Sequence, residues 1–142
     1  MLFSNNGSKD SPIYQKWKGD NIQYIHTNIP NKFFSIFLRL GIIQMDKWIE
    51  KHSGQKIDIL WIPDPRPFSC SRQTYLVSTF HDLSFEHYKH TFTLKTRLFQ
   101  QLTHPKKLSQ KSDKIISVSQ FTKKDIQEYY KIPGEKISVI YE

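Results

Sequence analysis

The chain has 142 residues, 37% of them hydrophobic and 14% aromatic, which is enough for one packed domain and excludes disorder as its main state. Lys and Arg number 21 against 13 Asp and Glu, a net charge of +8, and the one cysteine, Cys70, excludes an intramolecular disulfide framework and a cysteine zinc site. The most apolar stretch, Phe33 to Ile43, is interrupted by Arg39 and falls well short of the about 20 residues a spanning helix needs.

Met1 to Pro12 carries the polar run Asn5-Asn6-Gly7-Ser8 and no apolar segment, so no secretory signal is expected and the location read from the sequence is cytoplasmic. Leu2-Phe3 reads as a stub before this polar region, and Asn21 to His26 as a short strand. Phe33 to Lys51 reads as one helix, with Phe34, Leu38, Ile42, Met45 and Ile49 on one face and His52-Ser53-Gly54 ending it. Ile57 to Ile62 is a strand stopped by Pro63, Pro65 and Pro67, and Tyr75 to Phe80 is the next. Thr91 to Leu102 is helical, and Pro105 serves as a break or as the first position of a new turn. Lys114 to Val118 is an apolar strand, Ser119 or Thr122 caps a helix to Tyr130, and Pro133-Gly134 turns the chain into a last strand, Ile137 to Tyr141. Strands alternating with helices at this spacing predict an α/β fold, a doubly wound, mostly parallel Rossmann-like sheet.

Ligands of such sheets bind beyond the carboxyl ends of the strands. Three loops are candidates: Pro63-Asp64-Pro65-Arg66-Pro67, His81-Asp82-Leu83, and Ser119-Gln120-Phe121-Thr122. His81 can donate to a sugar hydroxyl or phosphate, or shuttle a proton near neutral pH; the plainer reading is a strand-end histidine satisfied by backbone. Asp82 can orient the imidazole or cap the next segment. Ser119 and Thr122 can be plain caps, or part of an anion site at a helix N-terminus strengthened by Lys123 and Lys124. His87 and His90 have a two-ligand spacing but no third ligand at a telling distance, so a solvated or hydrogen-bonded pair is preferred and no metal is expected. The helix beginning at Phe33 is most simply a core helix; its aromatic start with Lys32, Arg39 and Lys47 also fits an interfacial helix on anionic lipid.

The sequence contains no G-x-x-x-x-G-K loop, no G-x-G-x-x-G and no G-x-S-x-G elbow, which argues against nucleotide hydrolases and dehydrogenases. The stretches TFHDLSFEHYKHTF and KSDKIISVSQFTKKDIQEYYKIPGEKISVIYE, preceded by IDILWIPDPRPF, resemble the N-terminal domain of family 4 glycosyltransferases. The match runs over about residues 57–142 and rests on His81-Asp82-Leu83, on Asp113 to Asp125 and on Ile132 to Tyr141 in that order.

This resemblance implies one half of a GT-B fold, with the acceptor on this domain and a nucleotide-sugar donor in the cleft against a second one. It implies His81 as the catalytic-edge residue contacting donor sugar or phosphates, with Ser119 and Thr122 lining the cleft, Asp82 supporting its loop, and Arg66 among the substrate-contacting loop residues. It implies nucleotide sugar and a glycan or lipid-linked acceptor as substrates and no metal or other cofactor; the expectation of peripheral contact with an anionic membrane at its inner face comes from the Phe33 helix. The family's first strand, glycine-rich loop and helix, and its donor-binding domain, find no counterpart in these residues. The chain is therefore expected to be a single N-terminal-type domain over 1–142, incomplete at both ends and inactive alone. The competing readings are a non-catalytic binding module or split subunit, and a nucleic-acid-binding basic protein. Against the second, the cations are not interleaved with stacking aromatics.

Overall fold

The computed structural model describes residues 2–5, 24–27, 29–87, 93 and 103–141. The helix expected over Thr91 to Leu102, and His90, lie outside them. In chain order the described elements are β1 (Leu2–Asn5), β2 (Tyr24–Thr27), α1 (Asn31–Arg39), α2 (Met45–Ser53), β3 (Ile59–Ile62), β4 (Tyr75–Phe80), α3 (Ser84–His87), α4 (Pro105–Lys111), β5 (Lys114–Ser117), α5 (Gln120–Tyr130), a 3-10 turn (Gly134–Lys136) and β6 (Ile137–Val139). The expected parallel, helix-flanked α/β sheet is the observed architecture.

Strands β3, β4, β5 and β6 lie side by side in that order, all parallel. Because spatial order equals chain order, every crossover steps the same way, and right-handed connections then bring their helices to one face. Burial follows this rule. Leu60, Ile62, Leu76, Ser78, Phe80, Ile115 and Ile137 are buried on one side, whereas the register partners Ile59 and Tyr75, with Trp61, are exposed on the other. The buried side joins Leu108 of α4 and Ile126 and Tyr130 of α5 in a single core that also takes Phe34, Leu38, Met45 and Ile49.

Two expectations need correction. Leu2-Phe3 is no stub: Leu2 to Asn5 pairs in parallel with Tyr24 to Thr27 as a separate two-stranded sheet. The single helix expected from Phe33 to Lys51 is two helices. Gly41, at φ +71°, ends α1 with paired hydrogen bonds from its own amide to the Leu38 carbonyl at 3.1 Å and from the Ile42 amide to the Phe37 carbonyl at 3.0 Å. This is the Schellman arrangement, in which a residue without Cβ takes the left-handed position. It turns Ile42 outward, to 66% exposure, instead of onto the core face.

The amino edge of the sheet is closed around one buried carboxylate. Asp46, fully buried in α2, accepts from the Ser71 amide at 3.0 Å, from the Ser71 hydroxyl, and from Thr74 Oγ1 at 2.9 Å. Burial alone pushes its pKa up, but the bonds from Ser71, Thr74 and the Lys47 amide outweigh it and hold the carboxyl below its ordinary value. The stabilisation is thus present above the unfolded-state pKa of 3.8 and is lost as pH falls through the lower folded value. Asp46→Ala removes the acceptor shared by the Ser71 amide and hydroxyl, Thr74 Oγ1 and the Lys47 amide and is expected to cost about 3 kcal/mol in urea unfolding at neutral pH, with the gap to wild type closing in strong acid.

Nearby Cys70 has its thiol pKa pushed up to about 12, first by burial and then by the charges of Asp46 and Asp113. Native protein at about pH 8 is therefore expected to resist iodoacetamide at Cys70 and to react once unfolded.

Candidate functional site

The parallel strands deliver Ile62, Phe80 and Ser117 to one edge, where Phe80 and Ser117 are register partners. The three candidate loops follow from these ends, and hydrogen bonds tie them together. The His81 ring, at the solvent-exposed end of β4, has Nε2 3.1 Å from the Pro63 carbonyl oxygen. As a carbonyl only accepts, that nitrogen carries a proton in this arrangement. Thr122 Oγ1, buried in the first turn of α5, donates to the His81 carbonyl at 2.9 Å. Ser119 caps α5 by accepting from the Thr122 amide at 3.0 Å, and the two hydroxyls lie 2.9 Å apart. His81, Ser119 and Thr122 thus come together as expected, with the positive end of the α5 dipole beside them.

The other named residues are placed differently. Asp82 accepts from the Ser84 amide at 2.8 Å and from the Ser84 hydroxyl, so it holds the turn into α3. Arg66 folds onto its own loop, with Nε 3.3 Å from the Asp64 carbonyl and its guanidinium 3.9 Å from the Asp64 carboxylate. Lys123 donates to the Ile137 carbonyl at 3.0 Å and Lys124 pairs with Glu128 at 3.8 Å, so both cations have partners other than the helix N-terminus. On the core side of the same edge, Ser117 Oγ is fully buried and has no hydrogen-bond partner among the described residues.

A second network holds α3 against α5 and was not legible in the sequence. His87 Nε2 lies 2.7 Å from the buried Asp125 carboxylate, His87 Nδ1 lies 3.1 Å from Tyr129 Oη, and the imidazole stacks on Phe121 at 5.8 Å. Tyr130 Oη donates to Glu86 at 3.1 Å. Burial, followed by the Glu86 charge, raises the Tyr130 phenol above its ordinary value. Both ring nitrogens of His87 are engaged, which is the hydrogen-bonded role preferred above. Among the described residues no three His, Cys, Asp or Glu side chains gather as a metal site, and no helix is long and apolar enough to cross a membrane.

An α/β sheet with its loops gathered at the carboxyl edge belongs to the Rossmann-like class, whose ligands bind at that edge. The model of Glycosyltransferase Family 4 matches residues 2–142, and the chain belongs to that family. The match takes in residues 2–56, where the motifs quoted above are silent. Comparison with curated proteins and with solved structures gave no significant match.

Removing the Ser119 cap by Ser119→Ala is expected to lower stability by about 1 kcal/mol in denaturant titration. His87→Ala leaves the buried Asp125 carboxylate without its imidazole and is expected to cost about 2 kcal/mol by the same measurement.

Proposed function

We propose that the chain is the acceptor-side domain of an enzyme that moves a sugar from a nucleotide-sugar donor to a glycan or lipid-linked acceptor. The observation that carries this reading is the 2.9 Å hydrogen bond from Thr122 Oγ1 to the His81 carbonyl. It fixes the end of β4 against the start of α5, so that an exposed imidazole and a helix N-terminus share one edge. In transfer, the bond from the anomeric carbon to the diphosphate oxygen breaks, a bond to the acceptor oxygen forms, and the acceptor hydroxyl gives up its proton. Negative charge grows on the leaving diphosphate. The α5 amides, set in place by the Ser119 cap, are suited to meet that charge, and His81 to hydrogen-bond the donor sugar or its phosphates. Asp82 keeps the His81 turn in place, and Arg66 is assigned to the acceptor side of the loop. The reading assigns the chain no resident metal or cofactor.

Holding the diphosphate through the transition state takes a donor-binding domain as well, so the chain by itself is expected to transfer no sugar. Detectable transfer by the purified chain from any nucleotide sugar would contradict this part of the reading. The reading also includes a cytoplasmic location and peripheral contact with an anionic membrane, where a lipid-linked acceptor is met, and no nucleic-acid partner. A second reading, a non-catalytic module or split subunit, draws on the uncovered sheet face at Ile59, Trp61 and Tyr75.

The test is a nitrogen-15 amide titration of the full chain with UDP-glucose and with GDP-mannose. Resonances of residues 81–84 and 117–122 are expected to shift, and His81→Ala to weaken binding about tenfold, the worth of one hydrogen bond. No shift up to millimolar donor, or shifts confined to other parts of the chain, would overturn the proposal.

A further inference from the structure

Helix α1 carries two apolar stripes. Phe34 and Leu38 are buried in the core, while Phe33, Ile36 and Leu40, spaced i, i+3 and i+7, form a second stripe that is between 50% and 66% exposed. Had the helix continued past Arg39, Ile42 would fall four residues after Leu38, on the core stripe; the left-handed turn at Gly41 places it outside instead. Cations border this surface. Lys32 and Arg39 are exposed at the two ends of α1, and neither α1 nor α4 contains an acidic residue. His104, beside α4, has its pKa lowered first by burial and then by the charges of Arg39 and Lys107.

We infer that the outer stripe of α1 and the turn after it form a docking surface for an anionic lipid bilayer, with Phe33, Ile36, Leu40 and Ile42 entering the headgroup boundary and Lys32 and Arg39 facing the lipid charge. Exposed large apolar side chains beside cations that pair with no carboxylate among the described residues are what an interfacial helix presents to such a surface. A second copy of the chain is a poorer occupant. A two-fold contact through this stripe sets like cations against like, at a cost a bilayer does not impose.

The inference deepens the membrane part of the proposed function and rests on it. The nucleotide titration at residues 81–84 and 117–122 tests the sugar-transfer edge separately, so the two can fail independently. The full chain is expected to float with phosphatidylcholine vesicles that contain phosphatidylglycerol and not with phosphatidylcholine alone. Binding is expected to fall as salt rises from about 0.1 to about 1 M, over which the Debye length shrinks from ~10 to ~3 Å. Leu40→Gln combined with Ile42→Gln changes only exposed side chains and is expected to weaken flotation about tenfold with the circular dichroism spectrum unchanged. Lys32→Glu combined with Arg39→Glu is expected to abolish it. Absence of flotation, equal flotation of these variants, equal binding to neutral vesicles, or a concentration-dependent dimer that the Leu40 and Ile42 substitutions dissolve would each overturn the assignment.

Discussion

Parallel pairing of β4 with β5 is the constraint from which the rest of the molecule follows. It sets Phe80 opposite Ser117, so the chain leaves both strands at the same level and the His81 and Ser119 loops emerge side by side. The Thr122 hydroxyl then has only to reach the His81 carbonyl to lock the start of α5 onto the end of β4. That hydroxyl is buried, and without the carbonyl it would lose its compensation for desolvation, so the contact orders both loops at once.

The two edges of the sheet are built unlike each other. At the amino edge every approach is stitched by side chains: Asp113 accepts from the Leu76 amide at 2.7 Å while its own amide donates to the Leu76 carbonyl at 2.8 Å. Ser112 bridges Ser78 and the Leu108 carbonyl, and Asp46 gathers Ser71 and Thr74. Such saturated networks suit rigidity and leave little for a ligand to bind. The carboxyl edge keeps an exposed imidazole, a helix N-terminus and, on its core side, a hydroxyl at Ser117 with no partner among the described residues. The exposed groups of this edge thus lie where open parallel sheets bind their ligands.

Strand β4 was legible to the residue, and β5 and α5 nearly so, because apolar runs bounded by Pro67, Asp113 and the Ser119 cap leave few other ways to place them. The convergence of His81, Ser119 and Thr122 was legible for a different reason: parallel strands share a carboxyl edge whatever their side chains do. The break in the long helix was hidden because Phe34, Leu38, Ile42, Met45 and Ile49 keep helical spacing across it; only the positive φ of Gly41 reveals the turn. Asp46 sits in a stretch whose polar residues read as solvated, and its burial depends on Ser71 and Thr74, which arrive after a strand and a long loop. His87 and Asp125 stand 38 residues apart, beyond any local pattern.

The lysines sharpen the division of labour. A net charge of +8 suggests a basic patch at the anion-binding edge, yet Lys123, Lys114 and Lys136 spend their ammonium groups on the carbonyls of Ile137, Glu135 and Gln110. Each bond fastens a helix or turn around β6 and takes the charge away from the start of α5. Attraction for phosphate at that edge then comes from backbone amides and the helix dipole, which are fixed in direction and fall off within a turn. A site of that kind is short-ranged and orienting. Among the described residues, Lys32 and Arg39 on α1 bond to no protein carbonyl, and on the docking proposed above their attraction, acting over a Debye length, would bring the domain to an anionic surface before any substrate is met.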